Sequence, residues 1–137
     1  MLKSSLICLI WHPSIDPKLV SENLGLDPYI TQKAGEPITT PQGVRVGGTY
    51  KVSKWNHIVR LKSSNSLLDQ LDLFIDHLLT NREFIRSISQ EGGEVSLYFN
   101  LVCPEYSNLV IKPKIMEKLV DMKIEFGFEV FGITQNS

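Results

Sequence analysis

The sequence predicts an α+β domain, with helices packed on a mostly antiparallel five-stranded sheet. Two patterns carry this reading. Glu94–Cys103 alternates, with Val95, Leu97, Phe99, Leu101 and Cys103 on one side and Ser96, Tyr98, Asn100 and Val102 on the other. Leu67, Leu71, Phe74, Ile75 and Leu78 recur instead at helical spacing. Length sets the scale: 137 residues suit one domain, residues 1–137, with a single core.

Leu2–Trp11 reads as the first strand. Leu6, Cys8 and Ile10 point one way and Ile7, Leu9 and Trp11 the other, which predicts a central strand covered on both sides. Asp16 is a good helix N-cap, and Pro17 suits the first helical position, where a missing N–H costs nothing. Ile15 and Val20 stand at the spacing of a hydrophobic staple. Leu19, Val20 and Leu24 supply the buried face, and Gly25 ends the helix in a left-handed turn. From Leu26 to Gly48, three prolines and four glycines leave no period, so this segment reads as a long irregular loop. Such loops are uncommon inside compact domains and often functional.

Thr49–Trp55 and His57–Lys62 read as two short strands joined by a turn near Lys54–Asn56. Ser66, with Asp69 three residues later, starts a helix in the manner of a capping box. Asn81 caps a shorter continuation carrying Phe84, Ile85 and Ile88, which Gly92-Gly93 stops. Pro113 begins the last helix, with Ile115, Met116, Leu119 and Val120 buried. Phe126, Phe128 and Val130 form one face of the closing strand, and Gly127 on the other face leaves room beneath a helix. The first six elements follow a ferredoxin-like βαββαβ order, which the last helix and strand extend as a C-terminal αβ unit.

Composition excludes several classes. A net charge of −1 argues against a nucleic-acid binder. The longest apolar run, Leu6–Trp11, is too short to span a bilayer. It is followed by His12-Pro13, not by a small-residue cleavage site, so the chain reads as cytoplasmic with Cys8 and Cys103 buried and reduced. No P-loop, GxGxxG, HExxH or GxSxG motif is present. His12, His57 and His77 fall on separate elements without ligand spacing and read as surface or edge residues. A thiol inside an apolar strand has a raised pKa, which silences Cys8 as a nucleophile. No catalytic residue, cofactor or metal is therefore expected.

Two surfaces stand out. On the helix after Ser66, Asp69, Asp72 and Asp76 fall within about 60° of one another, with Leu73 among them. Charge that steers an encounter around an apolar anchor is the arrangement of a binding surface for a basic protein. In the loop, Lys33, Glu36 and Arg45, beside Trp55, make a basic, aromatic-edged segment suited to an anionic ligand. Residues 1–66 hold eight Lys/Arg against four Asp/Glu, and residues 67–137 hold six against eleven.

The series Ile15-Asp16-Pro17, Leu24-Gly25-Leu26-Asp27-Pro28, Ala34-Gly35-Glu36-Pro37, Thr40-Pro41-Gln42-Gly43, Gly48-Thr49-Tyr50 and Ser53-Lys54-Trp55 resembles the bacterial domain-of-unknown-function family numbered 4279. The resemblance runs on through the leucine-rich helix, Gly92-Gly93 and the final helix–strand pair. It implies a small bacterial α+β domain and no established activity, so it assigns no catalytic residues.

The expected function is a non-enzymatic protein-binding module, of the immunity type that neutralises a toxin, meeting a basic partner through Asp69, Asp72, Leu73 and Asp76. The alternative is a small-ligand or enzyme-like pocket under the 26–48 loop, lined by Lys33, Glu36, Arg45 and Trp55. The chain is expected to be a monomer or a weak homodimer paired through the edge strand Glu125–Phe131.

Overall fold

Strand β1 (Ser5–His12) lies in the middle of a five-stranded sheet. The structure, a computed structural model, describes residues 4–62, 66–103 and 109–132. Across the sheet run β2 (Ile30–Gln32), β5 (Ser53–Arg60), β1, β6 (Glu94–Cys103) and β7 (Ile124–Gly132). β1 is antiparallel to both neighbours and β2 to β5, whereas β6 and β7 are parallel. The sheet is therefore mixed. Its parallel pair follows from helix α4 (Pro113–Asp121), a crossover that lets β7 start level with β6. Strands β3 (Pro37–Thr39) and β4 (Arg45–Thr49) form a separate two-stranded arm.

Local chemistry fixes the helix ends. Asp16 Oδ1 accepts from the Lys18 N–H at 3.0 Å, and Pro17 opens α1 (Pro17–Leu24). Gly25 stops it at φ +63°, a conformation that penalises any Cβ. Ser66 Oγ accepts from the Asp69 N–H at 3.3 Å to cap α2 (Leu67–Leu79). Asn81 precedes α3 (Arg82–Gln90) but makes no side-chain capping bond.

One face of the sheet carries the core. Leu6, Cys8 and Ile10 of β1, Trp55 of β5, and Val95, Leu97, Phe99 and Leu101 of β6 are buried there. They meet Val20 and Leu24 of α1, Leu71 and Ile75 of α2, Ile85 and Ile88 of α3, and Ile115 and Leu119 of α4. The other face is bare among the described residues. Leu9 and Trp11 are each 36% exposed, so β1 is not covered on both sides.

Several expectations are corrected. Thr49–Trp55 and His57–Lys62 are not a hairpin: β5 pairs with β1 without interruption from Ser53 opposite His12 to Arg60 opposite Ser5. Lys54 and Asn56 resemble turn residues only because they lie on the uncovered face. β2, and not a separate His57–Lys62 strand, takes the second place beside β5 in the five-stranded sheet. The 26–48 segment is not irregular throughout, for it contains β2, β3 and the start of β4. Gly43, at φ +85°, turns the arm, and its N–H donates to the Thr40 carbonyl at 2.8 Å. Leu19, Met116 and Val120 are exposed, not buried. Gly127 lies beneath the Tyr98 ring, not a helix; a Cβ there would stand 2.6 Å from Tyr98 Cε1. The side chains of Cys103 and Phe131 lie outside the described residues.

Candidate functional site

On α2, Asp72 and Asp76 stand four residues apart, where like charges repel. α4 packs alongside and brings Lys118 between them. Its Nζ lies 3.0 Å from Asp72 Oδ1 and 2.8 Å from Asp76 Oδ1. These bonds, that to Asp76 foremost, raise the Lys118 pKa. The predicted acidic stripe is thus partly neutralised from within the chain, by a residue that helical spacing on α2 had no means to reveal. Asp69 remains exposed beside it. Leu73 is 71% exposed, a large apolar side chain framed by carboxylates that Lys118 holds still.

Lys33, Glu36 and Arg45 come together around a cleft of about 400 Å³ between α1 and the β3–β4 arm. Asp16, Lys18 and Tyr50 also line it. Lys33 Nζ reaches Asp16 Oδ2 at 3.4 Å. The Lys18 backbone N–H, with Lys33 beside it, lowers the Asp16 pKa. Trp55 does not line this cleft. It points inward from β5, is 1% exposed, and its Nε1–H donates to Ser21 Oγ at 3.0 Å. Alternation along β5 decides this: Lys54 faces out, so Trp55 faces the core.

The uncovered sheet face holds a groove of about 480 Å³ bordered by Leu9, Trp11, Lys54, Glu94, Ser96 and Tyr98. Cross-strand register puts Lys54, Trp11 and Glu94 in one row. Asn56, Leu9, Ser96 and Glu125 form the next. Sequence reasoning missed this site, although the polar alternation Glu94, Ser96, Tyr98, Asn100 signals a face that no layer covers.

The family model described as a domain of unknown function (DUF4279) matches residues 6–131, from β1 into β7. The chain belongs to this family. No curated protein and no solved structure matches it. No helix among the described residues is long and apolar enough to cross a membrane.

Reactive side chains in this member of the family are engaged in structure. His12 is buried, contrary to a surface reading, and its Nδ1 accepts from the N–H groups of Ser14 at 3.0 Å and Ile15 at 2.8 Å. That assigns the proton to Nε2, which donates to Glu91 Oε1 at 2.7 Å. His57 Nδ1 donates to the Asp27 carbonyl at 2.5 Å and His77 Nε2 to the Leu24 carbonyl at 2.7 Å, so both rings hold the chain just after α1. The register sets Cys8 directly across from His57. A thiol beside an imidazole is the beginning of a nucleophilic pair, but burial pushes the Cys8 thiol up to about 12. No solvent reaches Cys8, which is 0% exposed. No cluster of three His, Cys, Asp or Glu able to hold a metal occurs among the described residues.

Proposed function

We propose that this chain is a non-enzymatic protein-binding module of the bacterial cytoplasm whose partner carries a basic surface. The exposure of Leu73, at 71%, inside the frame of Asp69, Asp72 and Asp76 is what supports this reading. An apolar group surrounded by fixed charge gains most when a partner of opposite sign desolvates it. Lys118 lowers the cost of binding by ordering Asp72 and Asp76 beforehand. Under the immunity-type form of this reading, the partner is a basic toxin domain. Affinity capture from a bacterial lysate at low salt tests it. The wild-type chain is expected to retain a basic protein that the combined Asp69→Lys, Leu73→Lys variant loses. Identical capture profiles for the two proteins would dismiss the proposal.

The cleft beside α1 favours a second reading. Lys18, Lys33 and Arg45 outnumber Asp16 and Glu36 around it, a balance suited to a small anion. A ligand at a hundred times its Kd stabilises by about 2.7 kcal/mol. Thermal unfolding with phosphate and a panel of small carboxylates should then show a raised Tm that Arg45→Glu abolishes. No shift with any anion would remove this reading.

A further inference from the structure

We propose that the uncovered sheet face joins two copies of this chain, packed sheet against sheet about a two-fold axis that lies between the sheets, about 15° from the direction of β1. This goes beyond the binding function above, which uses the outer side of the helix layer.

Charge and polarity across the face are self-complementary. Ile7, Leu9 and Trp11 form an apolar midline along β1. β5 flanks it with Lys54, Asn56, Ile58 and Arg60; β6 flanks it on the other side with Glu94, Ser96, Tyr98 and Asn100. Glu129 of β7 stands next to Asn100 in the same row. Such an axis superposes the β5 of one copy on the β6 of the other at the same level. Lys54 then faces Glu94, because both flank Trp11 in one row. Asn56 faces Ser96 in the row of Leu9, and Ile58 faces Tyr98 in the row of Ile7. Arg60 comes over Asn100 and within reach of Glu129. Within the three central strands Lys54 meets an acid, Arg60 an acceptor and Ile58 an apolar ring, and the midlines meet each other; at the margin Ile30 of β2 comes over Glu125 of β7.

That symmetry selects a second copy over an unrelated partner. In an isologous interface residue i meets j while j meets i, so charges must be matched by reflection across the axis. A surface shaped for a different protein has no reason to be matched in this way. Packed sheets stand about 10 Å apart and rotated by about 30°, and the side chains of Lys54 and Glu94 are long enough to bridge the resulting offset. Four strands of eight to ten residues, about 4.8 Å apart, give a face of about 19 by 26 Å, to which the three residues of β2 add a short margin. Its plan area of about 550 Å², before side-chain relief is added, lies below the roughly 800 Å² per partner of a standard interface and within the range of a weaker one. Gly127 contributes to the shape. Without a side chain there, the Tyr98 ring lies over β7 and leaves the groove beside Trp11 open for an apolar group of the facing sheet.

Light scattering and sedimentation of the full chain across a concentration series test the proposal. The wild type should reach twice its 15.5 kDa mass. Lys54→Glu sets acid against acid at two symmetric points, and Glu94→Lys sets cation against cation. Each single variant should weaken association by at least about tenfold. The double variant, Lys54→Glu with Glu94→Lys, should restore it, while circular dichroism confirms that all three are folded. A wild type that stays monomeric at every concentration would overturn the proposal. So would a dimer indifferent to the single reversals, which would instead point to pairing through the β7 edge. Capture of a basic partner by Leu73 is a separate readout, so either result stands without the other.

Discussion

Trp55→Ala should lower the unfolding free energy by about 3–5 kcal/mol. Domains of this size are stable by about 5–15 kcal/mol in all, so the loss is a large share of the total. Trp55 is 1% exposed and is the largest of the fully buried side chains. Its ring stands 6.1 Å from that of His57, which in turn lies 6.0 Å from Phe74 on α2. Its Nε1–H holds Ser21 of α1. Truncation therefore opens a cavity between sheet and helices and strips a hydrogen bond at once. Trp55→Phe separates these terms: most of the apolar body stays, and the cost should fall to about 1–2 kcal/mol. Urea denaturation of the three proteins measures both values. A Trp55→Ala loss below about 1 kcal/mol would refute the buried role, and an altered response to anions without a loss of stability would return Trp55 to the ligand cleft.

What the sequence made legible was chemistry that acts within a few residues. Asp16-Pro17, Gly25 and the Ser66/Asp69 pair set helix ends through bonds to their own neighbours, and those ends stand where expected. The alternation of β6 is readable because one side is apolar and buried while the other is mainly polar and, apart from Ser96, only partly covered. Readings failed where the decisive partner was distant. Nothing near Asp72 or Asp76 announces Lys118, which arrives from α4. Lys33, Glu36 and Arg45 were grouped correctly because one segment supplies them, whereas Trp55 was misplaced because its direction depends on the parity of β5. β2 and β3 are only three residues long, too short for any period to register. The bare sheet face was missed for a subtler reason. β1 alone, apolar on both sides, implies two covering layers; only beside the polar positions of β5 and β6 does its outer half become an exposed apolar midline.

Gly93→Ala should cost about 3 kcal/mol, at the upper end of what overpacking usually does. Gly93 joins α3 to β6, and its N–H donates to the Ile88 carbonyl at 2.8 Å. A methyl group here would collide with the Trp11 carbonyl oxygen and come within 2.9 Å of Ile88 Cγ2. The Trp11 oxygen is backbone in the central strand and cannot swing away. The strain must move either β1 or the end of α3. Gly127→Ala offers the contrast. The three atoms nearest its new methyl all belong to the ring of Tyr98, a half-buried side chain and not backbone, so the cost should stay below about 1 kcal/mol. Denaturant midpoints rank the two variants, and amide exchange at Trp11 and Glu94 reports whether the β1–β6 ladder has slipped. Equal and small losses would mean that the α3–β6 junction yields easily, and the rigid placement of Trp11 on the open face would then have to be given up.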